Sequence, residues 1–255
     1  MKKLLVIVDM VNGFINQGAL ADKKINKITP VIVDLVKNAI KENTPIIAFK
    51  DAHTKNDPEF AFYPPHCIKG TAECELIPEL KPFESKFISI KKNTTNGFNT
   101  GAFKHIISNL KFEEIVIVGC CTDICVEAFA LTLKKFIDAA QRKTKIVVVE
   151  NGVYTFDSPT HSATQNHNAA LQRMKNAGIE VKTAHKTHEK GEWLWTIIYL
   201  LIFMNSQWAK HTLCKTNISK LHILMCFLGA FQTVAVLLLQ MALGKLLNIC
   251  KTLLS

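Results

Sequence analysis

The sequence predicts an α/β fold with three layers, helix–sheet–helix, around a six-stranded and mostly parallel sheet. Six short runs rich in Val and Ile, at residues 4–8, 45–49, 87–90, 115–118, 145–149 and 179–183, read as strands, and the central ones are apolar enough to be buried on both faces. Stretches with apolar residues at helical spacing separate them, and strand–helix alternation specifies a parallel sheet covered on both sides. Neither a Gly-rich dinucleotide fingerprint nor a P-loop is present, and there is no internal repeat.

The first run ends in Asp9, followed by Met10, Val11, Asn12, Gly13 and Phe14. An acid at the carboxyl end of a central parallel strand sits where open α/β sheets place ligands; it also suits a cap on the next turn, and both readings stand. Thr29 and Pro30 read as N-cap and N1 of a helix running through Val33, Val36 and Ile40 to about Asn43. After the second strand come Asp51, His53, Glu59 and His66, sixteen residues of loop with Pro64 and Pro65 to stiffen it. These ligand types suit Zn, Fe or Mn.

The third strand leads into Lys91 and Lys92, and period-2 alternation lets only one of them face a site. A short helix spans 101–110. The fourth strand stops at Gly119, and beyond it Val126, Phe129, Ala130, Leu133, Ile137 and Ala140 recur at helical spacing, with Lys134, Lys135 and Asp138 on the opposite face. Thr122 or Asp123 is the expected N-cap. Cys125 then falls in the first turn, where the helix dipole and free amides favour a thiolate and can hold an oxyanion; a packing cysteine is the plainer alternative. A helix over 160–176, closed by Ala177 and Gly178, separates the last two strands. His105, His161 and His167 are given no role.

Composition narrows the function classes. A net charge of +10 comes mostly from scattered lysines, without the clustered Arg and interleaved aromatics of a nucleic-acid surface, so no nucleic-acid partner is expected. The start MKKLLVIVDM has too short an apolar part for a signal peptide and meets Asp9 too soon. Eight cysteines are therefore read in a reducing cytoplasm.

Four segments in order, VIVDMVNGF, KDAHTKNDPEFAFYPPHCIKGT, the lysine before NTTNGF, and VGCCTDICV, together resemble the isochorismatase-like cysteine hydrolases, with a metal segment similar to the nicotinamidase branch. The resemblance covers about residues 1–185. It implies Asp9, Lys92 and Cys125 as catalytic triad, with Lys92 preferred to Lys91 for its distance from Phe98. It implies Asp51, His53, Glu59 and His66 as ligands of one divalent metal, most simply Zn with Fe or Mn open, and keeps Asp57 in reserve. A cis peptide between Cys120 and Cys121 would place the amide of Cys121 beside that of Cys125 as an oxyanion hole. Phe14 and Tyr63 would sandwich a substrate ring. The implied activity is hydrolysis of nicotinamide to nicotinate and ammonia through a cysteine thioester, in NAD salvage, by a homo-oligomer. Another amidase of the same fold, or a non-catalytic membrane-attached module, are the competing readings.

Composition shifts near Thr187, dividing the chain into a hydrolase domain, 1–186, and an apolar tail, 187–255. The tail holds six lysines, no arginine and two acidic residues, and 223–243 carries no charge, enough to cross a bilayer. A membrane anchor, an added helical hairpin and a translated stretch foreign to the functional protein are the three expectations for it, with the last preferred.

Overall fold

A computed structural model describes residues 2–184. The expectations for the tail, including segment 223–243, lie outside the described residues. Within 2–184 no helix is long and apolar enough to cross a membrane.

The six strands are β1 (Lys3–Val8), β2 (Ile46–Asp51), β3 (Phe87–Lys92), β4 (Glu114–Cys120), β5 (Lys145–Tyr154) and β6 (Glu180–Lys182). They lie in the order β3-β2-β1-β4-β5-β6, and every pairing is parallel, which sharpens "mostly parallel". The helices are α1 (Asn12–Ile15), α2 (Thr29–Lys41), α3 (Gly101–Asn109), α4 (Glu127–Ala139) and α5 (Ala163–Asn176).

Alternation along β1 sorts the core into two halves. Leu5 and Ile7 join Ile32 and Val36 of α2 under one face. Leu4, Val6 and Val8 face the other way, toward Phe103 of α3, Phe129 and Leu133 of α4, and Leu171 of α5. Burial of both faces explains the nearly continuous apolar strands.

Three helix starts differ from expectation. Thr29 is the first residue of α2 rather than its cap, because a 3₁₀ turn over Lys23–Ile28 runs straight into the helix. Its hydroxyl bonds Asn26 Oδ1 at 2.6 Å, and Pro30 moves one place inward. Beyond β4, neither Thr122 nor Asp123 caps. The N-cap is Cys121, without a side-chain bond, and a π turn over Thr122–Val126 precedes α4. Both polar side chains are taken by histidines instead: Thr122 Oγ1 is 3.0 Å from His167 Nδ1, and Asp123 Oδ2 is 2.7 Å from His161 Nε2. The last long helix starts at Ala163, capped by Ser162, rather than at 160.

The chain runs to opposite sides of β1 from β1 onward, so the carboxyl ends of β1 and β4 border the crevice where such sheets bind ligands. Gly119 makes the crowding there possible. It lies opposite Val8 in the register with φ +119°, and a Cβ on it would meet the Val8 carbonyl oxygen at 2.0 Å.

Candidate active site

Asp9, Lys92 and Cys125 come from three different strand ends. Asp9 follows β1, and its backbone is pinned: its amide donates to the Phe49 carbonyl at 3.2 Å, and its carbonyl accepts from Val11 N and Cys120 Sγ at 2.8 and 3.2 Å. It adopts φ +51°, a left-handed conformation costing a non-glycine residue about 1–2 kcal/mol.

Lys92 closes β3, two strands from β1 and so about 10 Å away at ordinary strand spacing. A long side chain is therefore required, and it crosses β2 to reach Asp9. Its ammonium lies 2.8 Å from Asp9 Oδ2, 2.9 Å from Asp51 Oδ1 and 4.0 Å from Cys125 Sγ. Lys92 is buried and Lys91 exposed, which resolves the choice that strand alternation left open.

Burial decides the protonation states of this group. It pushes the Asp9 carboxyl up to about 6, with Lys92 and the Cys125 thiol opposing and the Asp51 charge adding to the rise. It pushes the Cys125 thiol well above its ordinary value, against Lys92. The resting side chain is thus a thiol beside a carboxylate, not the free thiolate that the helix position alone suggests. Burial works against the Lys92 ammonium too, but Asp9, Cys125 and Asp51 outweigh it and hold the charge.

Asp51 links this trio to a second cluster. Its Oδ1 faces Lys92, while its Oδ2 lies 2.8 Å from His53 Nε2 and 3.2 Å from His66 Nε2. Burial would raise its carboxyl, yet Lys92 and the two imidazoles drive it far below the usual range. Glu59 Oε2 stands 3.9 Å from His53 Nε2. Asp57 lies on the other side of that ring, 3.3 Å from Nδ1, and with His53 and Glu59 makes a second group whose ligand atoms fall within 4.8 Å of one another. Asn93 Nδ2 donates to Asp57 at 3.1 Å, and Thr95 Oγ1 to Glu59 at 3.1 Å.

The donor set fits a divalent metal. His66 Nδ1 lies 2.8 Å from the Pro64 carbonyl, which can only accept, so Nδ1 carries the proton. In a neutral ring Nε2 then presents a lone pair to a carboxylate oxygen, two acceptors that a cation between them would satisfy. Tetrahedral ligands at bond lengths of about 2.0–2.2 Å sit about 3.3–3.6 Å apart, within the range spanned by the spacings here, and ligand atoms of Asp51, His53 and His66 fall within 4.8 Å of one another.

Both clusters open on one cleft of 340 Å³, bordered by Phe14, Asp51, Tyr63, His66, Lys92 and Cys125 among others, within the range of roughly 300–1,000 Å³ of small-molecule sites. Phe14 and Tyr63 both flank His66, with ring centroids 5.6 and 6.3 Å from it. The Cys120–Cys121 bond is cis.

Residues 3–186 match the isochorismatase domain model. The chain belongs to the isochorismatase family. This family member is 37% identical over 205 residues to nicotinamidase 1 of Arabidopsis thaliana, across 69% of this chain and 84% of that protein. The crystal structure of a Bacillus subtilis nicotinamidase superposes with a TM-score of 0.60 at 28% identity, covering 71% of this chain and 99% of the other. N-carbamoylsarcosine amidase of Thermoplasma acidophilum gives 0.59 at 28% identity, over 74% and 100%. The isochorismatase-family fold is thereby that of a hydrolase, with amidases among its relatives on both comparisons.

Several cleft residues of this isochorismatase-family chain escaped the sequence reading. Ile124 and Phe156 border the cleft, and His161 and His167 hold the turn before Cys125 through Asp123 and Thr122. Only the Thr-Asp pair ahead of Cys125 signals the last two, and that pair suits an N-cap equally well.

Proposed function

We propose that this isochorismatase-family hydrolase is a nicotinamidase, converting nicotinamide to nicotinate and ammonia in the salvage of NAD, in the cytoplasm and through residues 1–186. The observation that carries the reading is that Asp51 joins the Asp9–Lys92–Cys125 trio to a carboxylate–imidazole metal group on one cleft. Similarity to nicotinamidases supports it.

Asp9 takes the Cys125 proton as sulfur attacks the amide carbon, since burial leaves the thiol protonated and the carboxyl basic. Lys92 neutralises the charge that develops between them. Backbone amides of Cys121 and Cys125 stabilise the oxyanion, at about 3 kcal/mol per donor. Asp9 returns the proton to the departing ammonia, then activates water against the thioester. Asp51, His53, His66 and Glu59 would hold a divalent ion, most simply Zn, which supplies a Lewis-acidic partner for the ring nitrogen and so orients the amide. Phe14 and Tyr63 flank the ring.

The test is ammonia and nicotinate release from nicotinamide by the purified full chain, with Cys125→Ala as control. Release by the native chain alone is expected. A folded, metal-loaded chain that releases neither would redirect the reading to another small amide, the chemistry of the carbamoylsarcosine-type relative.

A further inference from the structure

Segment 156–163 is built with more care than a connection from β5 to α5 requires. Phe156, which borders the cleft, stacks on His161 with ring centroids 4.0 Å apart and planes 9° from parallel. His161 Nδ1 lies 3.0 Å from the Phe156 carbonyl, and its Nε2 lies 2.7 Å from Asp123 Oδ2. Ser158 and His161 close the turn with two backbone bonds of 2.9 and 3.1 Å. The next residue after Phe156 is clamped as well: Asp157 donates its amide to Asp22 at 2.9 Å, accepts from Ala163 N at 3.1 Å, and pairs with Lys24 at 2.8 Å.

Asp123 stands two residues before Cys125 in the π turn. The chain of contacts Asp123–His161–Phe156 therefore joins the nucleophile turn to a cleft wall on another element. With an acceptor beside each ring nitrogen, the imidazole N–H meets a partner in either tautomer, which holds the ring in place. One face of Phe156 rests on that ring, and the residue borders the cleft. A flat apolar wall favours a flat conjugated ring over an aliphatic amide by aromatic stacking.

We propose that Phe156 is a third ring-contacting, specificity-determining residue of the cleft, and that His161, tied to Asp123, is the positioning residue that aims it. This rests on the nicotinamidase reading, whose ring-bearing substrate it makes more specific. Phe14 and Tyr63 come from the turn after β1 and the loop after β2, whereas Phe156 follows β5.

The test measures kcat and KM for nicotinamide with the full metal-loaded chain and four variants, each with its thermal midpoint. Phe156→Ala is expected to raise KM about ten-fold, and Phe156→Leu, which keeps apolar bulk without the plane, about three-fold. His161→Ala should raise KM about three-fold, and His161→Gln should restore most of it, since a planar amide can donate to Asp123 and lie against the ring. In every case KM rises by more than kcat falls. If the alanine variants fail to fold, Phe156→Leu decides alone, with His161→Gln expected near the native KM. Unchanged KM in active, folded variants, or a fall in kcat with KM intact, overturns this inference and leaves the nicotinamidase reading standing. A native chain inactive on nicotinamide overturns both.

Discussion

The two halves of the site are built differently. The Asp9–Lys92–Cys125 half sits on strand ends and one helical turn; its side chains are at most 8% exposed, and its neighbours are sheet hydrogen bonds. The metal half hangs on the loop from His53 to His66, where Glu59 and Tyr63 are partly exposed and polar side chains of 93–95 hold the carboxylates. The charged trio is placed on rigid elements, and the carboxylate–imidazole group proposed to orient substrate is placed mainly on a loop. Asp51, last residue of β2, belongs to both.

That division orders the expected effects of substitution. Cys125→Ala removes the nucleophile and should lower kcat by about 10⁴-fold or more, with metal content by elemental analysis unchanged; loss of metal in that variant would mean the halves are not separable. Asp9→Asn keeps the shape but removes the base, and should cost about 10²–10⁴-fold in kcat with little change in KM. Asp57→Asn removes the charge beside His53 Nδ1 while leaving an amide that can still meet Asn93 and the Glu59 amide, and should weaken metal binding by about 10-fold in a competitive chelator titration; no change would leave Asp57 without a role at the site.

The same difference governs what the sequence reveals. Strand ends were readable because a buried parallel strand has a period and a stop: Val8 to Asp9, and Gly119 before the turn, stand out without any relative. Lys92 was narrowed to one of two by alternation and chosen by resemblance. Loop ligands have no period, so Asp51, His53 and His66 were visible only as residue types close together, and the position of Asp57 behind His53 was not visible at all. The capping error at Thr122 and Asp123 has a physical origin: these residues prefer N-caps when exposed, but here His167 and His161 arrive from elsewhere in the chain and compete for them. Long-range partners of that kind leave no local signal. Phe156 and His161 were missed for the same reason.

The smallest predicted effect is on pH. Asp9 must be a carboxylate to accept the thiol proton, and burial places its titration at about 6. kcat/KM should therefore fall as pH drops through that value, about tenfold per unit below it. A flat profile down to pH 5 in a folded chain would remove Asp9 as base.

The account turns on one cleft serving two separable groups, so the most direct test reads both in one sample. The full chain is stripped of metal by a chelator and then titrated with Zn²⁺, while kcat/KM for nicotinamide and the rate of Cys125 carbamidomethylation by iodoacetamide are followed. Activity is expected to rise in proportion to bound metal and saturate near one ion per chain, with the labelling rate nearly constant throughout. Full activity in the stripped protein would contradict the account.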